Sequence, residues 1–155
     1  MLNKIDVNLR MPLLADCELI FNWSNLKDVR ANSQNNKPIP YEQHKYWFHN
    51  IIKKKFHLVI FSANDKPCGM VRIKEVNKEV FISYMVDPEY RNLKISKKML
   101  EMYLRLIFTE LNITTVYAIV LNFNLKSINL LDSIGFKKIN CDDKKTKLMI
   151  DLNEI

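Results

Sequence analysis

Apolar residues recur along this chain at the period of a strand in some stretches and of a helix in others. Ile5, Val7 and Leu9 alternate with Asp6 and Asn8, which predicts a half-buried strand over residues 5–9. Asp16 is placed to N-cap a helix carrying Leu19, Ile20, Trp23 and Leu26. Residues 29–40 read as a polar, Asn-rich connection bounded by Pro38 and Pro40. Pro40 suits the first turn of a second helix, with Glu42 near its positive end. Tyr41, His44, Trp47, Phe48, Ile51 and Ile52 form the stripe of that helix, and Lys53, Lys54 and Lys55 close it.

Strand-like runs follow over residues 56–63, 69–76 and 79–86, separated by short turns at 64–67 and 77–78, which predicts an antiparallel meander. A helix over residues 97–111 carries Met99, Leu100, Tyr103, Leu104, Ile107, Phe108 and Leu111 on one stripe. Residues 115–121 are apolar almost throughout, as in a strand covered on both faces. A strand, a crossover helix and a second strand imply a parallel pair. A helix over residues 124–134 stops at Gly135, and Phe136 closes the cap. The last strand covers residues 147–152. The predicted order is β-α-α-β-β-β-α-β-α-β. It describes an α/β (α+β) fold, one domain over residues 1–155, built on a single mixed sheet with helices on its faces.

The stretch from Val86 to Ser96 joins a strand to a helix N-terminus, where backbone N–H groups lack internal partners and the peptide dipoles add positive charge. Lys97 and Lys98 then fall in the first helical turn, where cations are disfavoured by roughly 0.3–1 kcal/mol each. A bound phosphate reverses that sign, so the stretch is a candidate anion site.

The net charge of +7 fits an anionic partner. No nucleic-acid-binding motif or long basic run accompanies it, which argues against nucleic acid. No apolar run approaches the ~20 residues needed to span a bilayer, and the N-terminus carries no signal-peptide core, so no membrane association is expected. Cys17, Cys68 and Cys141 are odd in number and lack metal-type spacing, as expected of reduced thiols in a cytoplasmic protein that holds no metal.

The element order, the run Val86-Asp87-Pro88-Glu89-Tyr90-Arg91 and the later run from Asn124 through Ser127 and Leu131 to Gly135-Phe136 resemble the GNAT family of N-acetyltransferases. The likeness covers nearly the whole chain. It implies a mostly antiparallel sheet whose central parallel pair splays apart to admit acetyl-CoA, the co-substrate. Trp23-Ser24-Asn25, Val29-Arg30 and Glu42-x-His44-x-x-Trp47-Phe48 resemble one branch, containing ribosomal-protein N-terminal acetyltransferases and acetyltransferases of nucleotide-linked amino sugars. The family's loop pattern is Arg/Gln-x-x-Gly-x-Gly/Ala. Arg91 matches it, whereas Lys94 and Ser96 replace the glycines. Leu131 stands where the family carries a Tyr that protonates the departing thiolate.

The resemblance therefore places the cofactor on Met85, Val86, Arg91, Asn92, Leu93, Lys94, Ile95, Ser96, Asn124 and Ser127. A cationic rim of Arg91, Lys94, Lys97 and Lys98 would offset the lost glycines. Amide formation needs a general base near the amine. Glu79, the carboxylate of the strand over residues 79–86, is the first candidate and His44 the second. Tyr84, Tyr103 and Tyr117 are alternative proton donors, and Asp132 would be ionised and a poor acid. Trp23 and Trp47 offer flat surfaces for a nucleobase or sugar, and Arg30 a fork for a phosphate. The expected activity is direct acetyl transfer to a primary amine of a small molecule, a nucleotide-linked amino sugar first, by a monomer or homodimer. A peptide N-terminus, or CoA binding with little turnover, are the alternatives.

Overall fold

The computed structural model describes residues 4–155. The chain forms β1 (Val7–Arg10), α1 (Asp16–Ser24), α2 (Lys27–Ala31), α3 (Tyr41–Ile51), β2 (Leu58–Ala63), β3 (Lys66–Val76) and β4 (Glu79–Val86). It continues through α4 (Ile95–Leu111), β5 (Thr115–Leu121), α5 (Leu125–Ile134), β6 (Lys137–Cys141) and β7 (Lys145–Asp151), with 3₁₀ turns at Pro88–Tyr90 and Leu152–Glu154. The strands make one seven-stranded sheet in the order β1-β2-β3-β4-β5-β7-β6. Every pairing is antiparallel except β4 with β5.

Strand alternation divides the core between two faces. Val59, Phe61, Val71 and Ile73 join α4 and α5 residues such as Met99, Tyr103, Ile107 and Leu131. Leu58, Ile60 and Met70 face the other way and pack with Ile20, Trp23, Phe48 and Ile51 of α1 and α3. Helices therefore cover both faces of the sheet. Both hairpin turns of the meander hold their central residues at positive φ, Asn64 and Asp65 in one and Asn77 and Lys78 in the other. Such two-residue turns match the right-handed twist of the strands they join.

The structure corrects the sequence reading in several places. Residues 29–40 contain the end of the short α2, which buries no residue and so leaves no apolar stripe. β6 is exposed at every position and carries no alternation. Asp16 does not cap α1 from outside. It is the first helical residue, and Ala15 occupies the cap position. The Asp16 carboxylate instead accepts the Arg10 guanidinium at 2.8 and 2.9 Å and the Leu13 N–H at 2.7 Å. α4 begins at Ile95, two positions earlier than the stripe indicates, with Lys94 as its N-cap. The cap after α5 is as expected: Phe136 N–H donates to Leu131 O at 3.0 Å across Gly135, at φ +122°.

Candidate active site

β4 and β5 touch at one register pair, Phe81 with Tyr117, and then part. Glu79 and Lys147 pin the root of this fork. The Lys147 ammonium lies 2.9 and 3.0 Å from the Glu79 carboxylate oxygens and 4.6 Å from the Tyr117 ring centroid. Beyond the fork, residues 81–86 of β4 and 118–121 of β5 line a cleft of about 1240 Å³. The cleft runs from α2 and α3 on one face of the sheet to the N-termini of α4 and α5 on the other.

The exit of β4 is held from several directions. Asp87 N–H donates to Cys68 O at 2.7 Å, where β3 bulges against β2. The Asp87 carboxylate accepts the Trp23 indole N–H at 2.8 Å and the Glu89 N–H at 2.9 Å. Arg91 Nε donates to Val86 O at 3.1 Å, and the Arg91 guanidinium is ion-paired with Asp28 of α2. Asn92 and Lys94 adopt left-handed conformations at φ +64° and +60°. α4 then starts with no side-chain cap bond and no acidic residue in its first turn. Lys94, Ser96 and Lys97 border the cleft there, and Lys126 of α5 reaches over to donate to Asn92 Oδ1 at 2.8 Å.

Of the residues expected to hold the cofactor, Met85, Val86, Arg91, Asn92, Lys94, Ser96, Asn124 and Ser127 line the cleft. Leu93 points outward and Ile95 is buried in the core, so neither side chain lines the cleft. Ser96 sits inside the first turn of α4. Asn124 does cap α5, accepting from Ser127 N–H at 3.3 Å. Leu131 is buried and fills with hydrocarbon the place where the family has its Tyr.

The acceptor-side candidates divide similarly. Trp23 is a core residue anchored on Asp87 and does not line the cleft, whereas Trp47 does. Arg30 lines the cleft, but its donors go to Ser24 O, Asn35 O, Lys37 O and Ser33 Oγ, so it organises the loop after α2. Glu79 stands at the root of the fork, outside the lining, with its carboxylate committed to Lys147.

His44 faces the cleft from α3 and is almost fully buried. Its Nε2 lies 2.8 Å from Cys17 O, and because a carbonyl only accepts, Nε2 carries the ring proton. Nδ1 has no hydrogen-bond partner among the described residues. No fully buried side-chain nitrogen or oxygen among the described residues lacks one, so Nδ1 opens onto the cleft. Burial pushes the imidazole below its usual pKa, against the opposing pull of the Cys17 carbonyl.

Of the tyrosines, Tyr103 donates to Phe56 O at 2.6 Å away from the cleft. Tyr117 packs at a tilt against Phe81 at the fork. Tyr84 lines the cleft beside Ser127, and burial raises its pKa, so its hydroxyl stays protonated. Sequence reasoning missed Arg72 and Lys74. The signal was present: Arg72 lies two positions from buried Met70, so it shares that residue's inward strand face.

The fold and sequence have known counterparts. A domain from Methanocaldococcus jannaschii superposes with a TM-score of 0.81 at 19% identity, covering 96% of this chain and 100% of that one. Spermidine N-acetyltransferase from Vibrio cholerae, solved with CoA and spermine, gives 0.80 at 18% identity over 95% of this chain and 96% of its own. The putative acetyltransferase yncA from Salmonella typhimurium, solved with acetyl-CoA, gives 0.76 at 16% identity over 96% and 95%. No curated protein sequence matches. The family model described as acetyltransferase (GNAT) domain matches residues 6–137. With most of its length matched and the fork between β4 and β5 in place, the chain belongs to the GNAT acetyltransferase family, whose enzymes use acetyl-CoA as co-substrate.

Proposed function

We propose that this protein transfers acetyl from acetyl-CoA directly to the primary amine of a small molecule. The observation that carries this reading is the fork held at Phe81 and Tyr117, opening toward the bare N-terminus of α4. The residues present fit the co-substrate. Past the fork, the facing edges of β4 and β5 are free to bond an extended amide chain, and the first-turn N–H groups of α4 offer an anion site. Acetyl-CoA supplies an acetyl thioester.

The side chains supply proton handling. His44 Nδ1 takes the proton of the attacking amine, its tautomer fixed by the Cys17 carbonyl. Tyr84, neutral and held by Ser127, is the donor on the opposite side of the sheet, in place of the family Tyr replaced by Leu131. No cysteine lines the cleft among the described residues, and burial pushes the Cys68 thiol up to about 11, which favours direct transfer over an acetyl-cysteine.

A nucleotide-linked amino sugar is the acceptor we favour, because Trp47 offers an aromatic face and the lining is strongly basic. A peptide N-terminus is the second candidate. The replacement of the family Tyr by Leu131 favours a different reading, a CoA-binding domain with little turnover. Incubation with acetyl-CoA and panels of amino sugars and peptides, followed by free thiol, separates these. Thiol release with an amino sugar supports the proposal, and CoA binding without turnover on any amine supports the binding domain. A protein that does not bind CoA refutes both.

A further inference from the structure

Met70, Arg72 and Lys74 of β3 pair with Met85, Ser83 and Phe81 of β4, so all of these share the sheet face beneath α1 and α3. On that face the Arg72 guanidinium lies over the Trp47 ring, its Cζ 5.3 Å from the centroid. Among the described residues Arg72 makes no ion pair, and its nitrogens have no hydrogen-bond acceptor. Since no fully buried side-chain nitrogen among the described residues lacks a partner, those N–H groups open into the cleft.

The charges around Arg72 do not compensate it. Desolvation by burial pushes its pKa down, and repulsion from nearby Arg30 adds to it. A guanidinium keeps its proton at neutral pH regardless, so Arg72 holds its charge there without an ion-pair partner among the described residues. The one acidic side chain among the residues lining the cleft is Asp28, and it is paired with Arg91. An enclosed guanidinium with free donors costs free energy in the empty protein that a bound oxyanion recovers.

We infer that Arg72, seated on Trp47 and flanked by Lys74, recognises an oxyanion of the acceptor, so that the substrate is an amine that also carries a phosphate or carboxylate. Arg72 is then the residue that sets acceptor class. A polyamine, cationic along its length, meets only like charge here. This inference rests on the transferase reading above and narrows its acceptor.

The test titrates CoA-saturated protein calorimetrically with uridine diphosphate, inorganic phosphate, succinate and spermine. At least one oxyanion binds the wild type, and Arg72→Gln weakens that binding about tenfold or more. Arg72→Lys recovers part of it, because charge returns without the planar fork. CoA affinity, measured separately, changes by less than about threefold in both variants, which shows that they are folded. The phosphate and succinate arms tell which oxyanion the site prefers. The inference is overturned if no oxyanion binds wild type, if Arg72→Gln binds it as well as wild type, or if spermine binds instead. Failure to bind CoA would refute the transferase reading by itself. The same anion titration without CoA still decides Arg72 through the wild-type and Arg72→Gln comparison.

Discussion

The Tyr84 hydroxyl lies 2.9 Å from Ser127 Oγ, tying β4 to the first turn of α5 where β4 and β5 have already parted. The bond bridges the sheet and the helix that flank the open fork, on the face opposite α3. Burial keeps this phenol neutral, as the proton-donor role proposed for it requires.

Tyr84→Phe removes the donor with little change in packing. Loss of the single bond costs about 1 kcal/mol of stability. Turnover falls about 10- to 100-fold, at or below the roughly 100-fold floor usual for a general acid, because a thiolate leaves tolerably without one. The KM for acetyl-CoA stays within about threefold. Steady-state kinetics on Tyr84→Phe and Ser127→Ala check this, with Ser127→Ala intermediate. Equal turnover in wild type and Tyr84→Phe would move the proton to water.

His44 makes both activity and stability depend on pH in the same direction. Its folded pKa lies below the ordinary value of 6.5. As pH falls through 6.5 the unfolded chain takes a proton first, and the folded ring follows only at lower pH. The stability contributed by the neutral buried ring is therefore complete above about pH 6.5 and declines between there and the folded pKa. Urea midpoints measured from pH 8 to pH 5 fall in wild type more steeply than in His44→Gln. The acid limb of kcat/KM lies below pH 6.5, and His44→Gln loses that limb together with most of its turnover.

Lys94 pays for its place in the loop with a left-handed backbone, φ +60° and ψ +21°. That conformation costs a non-glycine residue roughly 1–2 kcal/mol, partly offset in Gly by chain entropy. Lys94→Gly raises stability by about 0.5–1 kcal/mol, or a few degrees in melting temperature. Lys94→Ala keeps the strain and gives no such gain. Both remove the ammonium, so both flatten the salt dependence of CoA affinity if Lys94 belongs to the cationic rim. An unchanged salt slope in both variants would put the ammonium in bulk solvent.

The fold was readable where burial is one-sided or total. The alternation of β1, the meander and the stripes of α3 and α4 each record what they pack against, whereas the apolar run of β5, read as covered on both faces, is buried on one face only, with Ile119 and Leu121 half-buried at the cleft. β6 and α2 left no trace because they bury nothing. Residue type drew attention to the loop after β4 and to His44, both of which border the cleft, but pairing could not be read. Arg30 and Glu79 look like free charges in sequence, and only the fold brings them to Ser24 O and to Lys147. Arg72 is the converse, an ordinary strand arginine in sequence that has no acceptor among the described residues.

The chain's two glycines separate steric fit from backbone conformation, and only one of them controls the site. A Cβ on Gly69 would lie 2.4 Å from Met85 O and 2.7 Å from Met99 Cε. The methionine end can swing away, but the carbonyl belongs to the backbone of β4 and yields only if the strand moves. Met85 lines the cleft, so that movement displaces one wall of the fork. Gly135 presents the opposite problem. Its Cβ would meet Ile150 Cδ1 at 3.4 Å, a tolerable contact, yet its φ of +122° is strained for any side chain. Both alanine variants lose stability, Gly69→Ala about 1–3 kcal/mol from overpacking and Gly135→Ala a similar amount from backbone strain. Their effects on the site differ. Gly69→Ala weakens CoA binding about tenfold or more, whereas Gly135→Ala, behind α5, leaves it within about twofold once compared at equal folded fraction. Melting curves and CoA titrations on the two proteins check the contrast. Equal losses of CoA affinity in both would show that β4 does not form the wall of the cofactor site.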